Sequence, residues 1–373
     1  MRIGIDARLN AYRTGGISQY TRQLLTALAP IADQDELVAL QHFQHLRPLV
    51  VAPNVRRETL FTPPHHRFEQ YLLPFELLRL RLNLIHCPDF IAPRHRICPA
   101  IITIHDLAFL HYPEILDASA RRYYHQVYDA VRYADAVIAV SEATRKDIVE
   151  LLGIPAERVD VVYEAAAPIF TPQPVIGGTM HTVNGKTLHA NTFMLFVSTI
   201  EPRKNLPMLF KALRICCDRR PDVPYHLVLA GARGWQDQDI IATVKALRLT
   251  DQVLFLGQVD MIDLRWLYNA CLFYLNPSRY EGFGLTVLEA MACGAPTVIA
   301  DVSSLPEIAG DAALRIPPDD PGAWADVLER LWHDPDLRHT LSSAGSARAA
   351  HFSWERTARE TLAIYRRVLA TSA

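Results

Sequence analysis

Short apolar runs alternate with segments of helical period along nearly the whole chain, and this alternation narrows the possible folds more than any other feature. In the first half, RIGIDAR, LNLIHCPD, AIITIHDL, DAVIAVS and VDVVYEA are runs of strand length. They are separated by stretches such as QYTRQLLTALA, whose apolar residues recur at helical spacing. Strands covered on both faces read as near-continuous apolar runs, so a strand–helix–strand rhythm predicts parallel sheets wrapped by helices. Over SEATRKDIVELLG, Ser141 supplies a helix cap and Gly153 a stop.

The rhythm breaks at PIFTPQPVIGGTMHTVNGKTLHAN, rich in proline and glycine and carrying a hairpin-like Asn-Gly. It resumes with FMLFVST, YHLVLAG, QVLFLGQ, LFYLNPS and APTVIAD. The chain of 373 residues is long enough for more than one core. It divides into a Rossmann-like domain over 1–168, a linker over 169–191 and a second Rossmann-like domain over 192–352. The two doubly wound sheets are expected to face each other across a cleft. The amphipathic closing helix, 353–373, would pack back on either of them. Ligands of such sheets bind beyond the carboxyl ends of the strands, so the chemistry belongs on strand-to-helix loops.

Apolar residues make up 50% and charged residues 21%, with a net charge of −2. That is globular composition, with no global attraction to nucleic acid. The six cysteines show no C-x-x-C spacing and read as reduced core residues. The N-terminal MRIGIDARL reads as a strand rather than a targeting segment, and no apolar run is long enough to span a bilayer. A cytoplasmic protein is expected. RFEQYLLPFELLRLRLNLI reads as a helix packed on the core with arginines outward; peripheral contact with a membrane is its alternative.

Of the loops, RYEGFGLTVLEAMACGAPTVIA is the most informative. Glu281 and Glu289 stand eight residues apart around a Gly-Phe-Gly turn that opens a helix. Glycines let the amides of Gly282, Phe283, Gly284 and Leu285 approach a ligand, and the first amides of a helix favour anions or polar oxygens. A loop acid and a helix-surface acid would be the plain interpretation. However, Glu289 lies inside the apolar Leu-Glu-Ala-Met-Ala, and acids are rarely buried without a partner. In STIEPRKNL, Arg203 and Lys204 stand at the mouth of a helix. They suit a diphosphate leaving group, or are simply solvated. Gly15 and Gly16 form a bare Gly-Gly turn after the first strand, and His105 ends the strand of ITIHDL. A lone strand-end histidine is more often structural than catalytic.

The run EGFGLTVLE resembles the E-x7-E motif of family 4 retaining glycosyltransferases of GT-B fold. The likeness extends over nearly the whole chain. It implies that Glu281 and the amides from Gly282 to Leu285 hold the transferred hexose, while Glu289 holds the ribose. It also makes TIEPRKN the phosphate-binding segment. Many members place the arginine earlier in that loop, where this chain has Ser198 and Thr199, and Arg203 takes over. Gly15 and Gly16 would approach the diphosphate from the other domain. His105 would face the sugar, contacting its hydroxyls or stabilising positive charge through its carbonyl. The nucleobase would lie near Gly231 and Val259.

The implied activity is metal-independent transfer of a hexose from a nucleoside diphosphate sugar to a glycan or lipid-linked acceptor, with retention. HDL, TIEPRKN and SRYEGFG resemble bacterial mannosyltransferases of polysaccharide assembly, which favours GDP-mannose over UDP-glucose. Catalysis would fall to His105, Glu281 and Lys204. The alternatives are a relative that hydrolyses or epimerises its nucleotide sugar, and an inactive regulatory binder. The departure at VVYEAAAP, where relatives often show Asn-Gly-Val-Asp and this chain has Glu164, keeps the second open. Asp-x-Asp, a metal–diphosphate signature of another glycosyltransferase fold, occurs at Asp33/Asp35, Asp237/Asp239 and Asp334/Asp336. These pairs read as solvated caps. His42/His45 and His65/His66 read as surface histidines rather than metal ligands.

Overall fold

The computed structural model describes residues 1–12, 15–66, 68–96, 98–115, 118–234 and 237–371. They fall into two compact units. One comprises Met1–Glu164 with Phe352–Ala373, the other Ala165–His351.

The first unit holds strands β1 (Arg2–Asp6), β2 (Glu36–His42), β3 (Val55–Leu60), β4 (Leu84–Cys87), β5 (Ala100–Ile104), β6 (Ala136–Ala139) and β7 (Val159–Val161). They pair in the order β3-β2-β1-β4-β5-β6-β7, all parallel. Ile3 lies beside Leu37 on one side and Leu84 on the other. β4, β5 and β6 are buried at every residue, as expected of strands covered on both faces. Sequence patterning does not single out β2 and β3. β3, VRRETL, is a half-exposed edge strand whose charges break the apolar run. The helix Glu142–Leu152 has the expected ends: the Ser141 hydroxyl accepts from the Thr144 amide at 3.0 Å, and Gly153 is left-handed.

The closing helix, Trp354–Thr371, packs in the first unit. It buries Trp354, Thr357, Ala358, Thr361, Leu362, Tyr365 and Val368, a single stripe at helical spacing. Tyr365 Oη lies 2.6 Å from His86 Nδ1, and Thr357 donates to the Tyr163 carbonyl at 2.7 Å.

In the second unit, residues 169–191 include a hairpin of β8 (Met180–Val183) and β9 (Lys186–His189), which turns at Asn184-Gly185. β10 (Met194–Val197), β11 (Leu227–Ala230), β12 (Val253–Gly257), β13 (Phe273–Asn276), β14 (Thr297–Ala300) and β15 (Leu314–Ile316) form a parallel sheet in the order β12-β11-β10-β13-β14-β15. The order reverses at β10, whose neighbours are β11 and β13. The carboxyl ends on either side of such a reversal are where open sheets of this kind take ligands.

Candidate functional site

Because β10 pairs with β13, the loops leaving their carboxyl ends meet. The Arg279 amide donates to the Arg203 carbonyl at 2.9 Å, which ties the two loops together. Lys204 Nζ donates to Glu281 Oε1 at 2.7 Å, and Arg203 Nη1 lies 3.4 Å from Glu281 Oε2. Arg203 also donates to the Tyr280 carbonyl at 3.1 Å and pairs through Nε with Glu201 at 2.6 Å. The Ser278 hydroxyl donates to Glu281 Oε1 at 2.8 Å. Lys204 is buried. Burial works to raise the Glu281 carboxyl, but the charges of Lys204 and Arg203 and the bonds from Lys204 and Ser278 outweigh it, holding it down at about 2. The solvated-charge interpretation of Lys204 is therefore excluded.

A third loop, after β14, braces the glycine turn. The Glu281 amide donates to the Ser303 hydroxyl at 2.9 Å, and the Ser304 hydroxyl donates to the carbonyls of Glu281 and Phe283 at 2.9 and 2.8 Å. Gly282, Phe283 and Gly284 are buried and Leu285 half-buried. Gly284 has φ of 99°, and a Cβ there would stand 3.0 Å from Leu305 Cδ2, so the turn needs glycine. The helix Leu285–Ala292 begins directly after it. Glu289 is buried in that helix, as its apolar neighbours predict. Its partner in the structure is Tyr268, whose hydroxyl donates to Glu289 Oε2 at 3.0 Å.

At the other side of the strand-order reversal, Gly231 has φ of 149°, and a Cβ there would come within 1.9 Å of the Ser198 carbonyl oxygen. Its glycine is thus required by the approach of two strand ends, whatever binds beside it. Val259 is half-buried in the loop that follows β12.

In the first unit, Gly15 caps the helix Gly16–Leu28 from an extended conformation, and a Cβ at Gly15 or Gly16 would meet nothing within 4 Å. Neither glycine is demanded by packing or by φ. Arg13 and Thr14 of the same loop lie outside the described residues. His105 follows β5 with both ring nitrogens engaged: Nδ1 is 2.7 Å from Glu164 Oε1, and Nε2 is 3.1 Å from the Pro88 carbonyl oxygen. Two acceptors for two nitrogens suit the doubly protonated ring. Burial works against that charge, but Glu164 outweighs it and the pKa is raised. The ring is thus occupied within its own unit. Glu164, which sequence leaves without a role, holds His105.

Some expectations need correction. Asp35 is not a solvated cap: it is buried and accepts from the N-terminal ammonium at 2.8 Å. Asp334 does cap a helix, accepting from the Leu337 amide at 2.9 Å, while the side chain of Asp237 lies outside the described residues. His42 is buried against Tyr12 and Phe43 rather than at the surface, and His65 pairs with Asp89. Sequence reasoning also missed a buried ion cluster at the end of β1. There Arg8 bridges Asp6 and Glu69, each at 2.6 Å. Among site residues it missed Glu201, Tyr268, Ser278, Ser303 and Ser304. The serines carry a sequence signal as polar residues just beyond apolar runs, and Glu201 lies inside TIEPRKN; Tyr268 has none.

Residues 14–166 match the model of Glycosyltransferase Family 4, and residues 185–348 that of Glycosyl transferases group 1. The chain is 28% identical over 371 residues to O-antigen chain mannosyltransferase B of Escherichia coli, covering 95% of this chain and 97% of the relative. Among solved structures, sucrose-phosphate synthase from Thermosynechococcus elongatus superimposes with a TM-score of 0.77 at 22% identity, over 99% of both chains. HepE of Anabaena, in complex with UDP and glucose, gives 0.72 at 19% identity over 98% of this chain and 99% of that one.

Proposed function

The chain belongs to the family 4 glycosyltransferases of GT-B fold, and from that premise we propose that it transfers mannose from GDP-mannose to a glycan or lipid-linked acceptor, with retention and without a metal ion. The observation that carries this is the cluster of Arg203, Lys204 and Glu281 beside the amides that open the helix Leu285–Ala292. Mannose is favoured by the mannosyltransferase of Escherichia coli that matches the chain end to end.

In this reading the donor diphosphate takes Lys204 and Arg203 from Glu281. The freed carboxylate then accepts hydrogen bonds from the hexose hydroxyls, and Glu289 from the ribose. The bond between the anomeric carbon and the diphosphate oxygen breaks, and the acceptor oxygen forms its bond from the same face. The acceptor's proton passes to the leaving phosphate oxygen, while the two cations and the helix amides stabilise the charge that develops there. The carbonyl of His105, whose ring is held by Glu164 and Pro88, is the group we assign to stabilising the cationic sugar.

The test is a panel of nucleotide sugars ranked by protection against thermal unfolding. A donor at 100 times its dissociation constant stabilises by about 2.7 kcal/mol. GDP-mannose should rank first, and should turn over only when an acceptor is present. Equal turnover without acceptor would replace transfer by hydrolysis. No protection by any nucleotide sugar would end the proposal.

A further inference from the structure

A hairpin as small as β8–β9 buries too little to be stable alone, so it takes its order from what it packs on. His181, Val183 and Leu188 share one face, on which Val183 and Leu188 are buried; Met180, Thr182 and Thr187 look outward and are exposed. The inward face meets the helix Met261–Ala270. His181 Nε2 lies 2.8 Å from Asp263 Oδ1 in the first turn of that helix, and the ring centroids of His181 and Trp266 are 4.7 Å apart. Asn184, at the tip, reaches a different target. Its Nδ2 donates to the carbonyls of Leu256 and Gln258 at 3.0 and 2.8 Å.

These two carbonyls lie on the unpaired edge of β12, the outermost strand of its sheet. The carbonyl between them, that of Gly257, accepts from the Gly231 amide at 2.8 Å on the β11 side. Beyond Gln258 the chain is fixed again, where Asp260 caps the helix Met261–Ala270 by accepting from the amides of Ile262 and Asp263 at 2.9 and 2.8 Å. Val259 is the residue between these anchors. It is half-buried, yet among the described residues its own N–H and carbonyl have no hydrogen-bond partner. Such groups need partners, and a nucleobase edge offers a donor and an acceptor side by side. Covering an edge strand would explain a bond to any part of β12. Asn184 instead bridges the last edge carbonyl of the strand and the first of the loop, which fixes the path of the chain into Val259.

We propose that Asn184 is a positioning residue for the nucleobase, and that the hairpin β8–β9 is a strut holding Gly257–Val259 in the shape that presents the Val259 backbone to the base. This rests on the reading of Gly231 and Val259 as the base site. Asn184 does not itself touch the donor. Bridging two acceptors from one nitrogen takes an amide with two N–H groups. The left-handed backbone at this position, with φ of 49°, is one that asparagine tolerates. Through Asp263 the same strut grips the helix that carries Tyr268, the partner of Glu289.

The test uses Asn184→Gly, which removes the amide but keeps a Gly-Gly turn suited to the hairpin, and Asn184→Asp, which keeps the size and loses both donors. Titration calorimetry of the whole chain compares GDP, UDP and inorganic pyrophosphate. Both variants should bind the nucleotide preferred by wild type about three- to tenfold more weakly, the worth of a lost hydrogen bond. Pyrophosphate binding should not change. Amide hydrogen exchange of wild type should show protection over 257–260 by the nucleotide and not by pyrophosphate, and Asn184→Gly should reduce that protection. Protection in wild type with unchanged nucleotide affinity in both variants would overturn the strut and leave the base site standing. Absence of nucleotide-specific protection over 257–260 would overturn the base site, and the strut with it. Equal weakening of nucleotide and pyrophosphate would reveal a general loosening of the unit, and would also overturn the proposal.

Discussion

Glu281→Gln keeps the shape of the side chain and removes the charge on which both cations of the site depend. Lys204 is buried, with Glu281 Oε1 2.7 Å from its ammonium, so the variant leaves a buried cation without its nearest counter-charge. Removing one partner of a buried pair costs about 3–5 kcal/mol. The pKa points the same way: against the effect of burial, the charges of Lys204 and Arg203 hold the Glu281 carboxyl below its ordinary 4.5, at about 2, so its charged form stabilises the fold at neutral pH. Because the folded value is depressed, that stability is present above pH 4.5 and is lost as pH falls through about 2. Wild type should therefore lose stability over this acid window, and the variant should have lost it already.

Calorimetry should show the transition of the second unit lowered by about 6–20 °C at neutral pH, at 2–4 °C per kcal/mol for a unit of this size. Free nucleoside diphosphate should bind the variant at least as well as wild type, because its phosphates no longer compete with Glu281 for Lys204. Turnover should fall, since the group that grips the hexose is gone. A variant within about 0.5 kcal/mol of wild type, the range of an ordinary surface substitution, would show that the pair does not matter. A marked loss of diphosphate affinity would refute the exchange of partners.

Lys204→Ala should lower the turnover number by about 10²–10³, read in steady-state kinetics, because charge grows on the diphosphate as the bond breaks. Glu289→Gln should weaken donor and free nucleoside diphosphate alike, by about 1.5–3 kcal/mol in titration calorimetry, because the ribose does not change during reaction. Activity should survive EDTA; complete loss restored by Mg²⁺ or Mn²⁺ would bring a metal back into the mechanism. Glu164→Gln removes the strongest of the groups that raise the His105 pKa; burial, which lowers it, stays, opposed only by the charges of Asp89 and Asp106. In wild type the pair's stability is fully present below the ordinary histidine value of 6.5 and lost as pH rises through the raised one. The variant's deficit, followed by denaturant unfolding, should therefore be largest on the acid side and shrink as pH rises.

The alternation of apolar runs made both sheets legible, and the strand-to-helix loops followed from it, because period and burial are local properties. β3 escaped because an edge strand does not need an unbroken apolar run, and β2 because its buried end carries the polar Gln41 and His42. Partners were not legible at all. Lys204 and Glu281 are 77 residues apart, and they meet only because β13 crosses back to pair with β10 rather than with β12, its predecessor in sequence. Residue types at loop positions announced charge and hydroxyl chemistry; sheet order decided which groups share it. Glu164 shows the same limit. Its neighbours say nothing of His105, 59 residues earlier.

The charged and polar groups proposed to act on the donor are already satisfied inside their own units: Lys204 by Glu281, Glu289 by Tyr268, His105 by Glu164 and Pro88. Isolated charges in such surroundings would shift their pKa values and neutralise, so a resting site must hold its own counter-charges. Substrate binding then exchanges partners instead of adding a charge to an empty pocket. The exchange also links two recognitions that sequence reasoning assigned separately. In the proposed reaction, phosphate displaces Glu281 from Lys204 and the released carboxylate becomes an acceptor for the hexose, so the sugar would be gripped only on a donor whose diphosphate is seated. A sugar phosphate lacking the second phosphate, or a free hexose, should then gain little from Glu281. Its affinity should be insensitive to Glu281→Gln in the same titrations that detect the change for the intact donor.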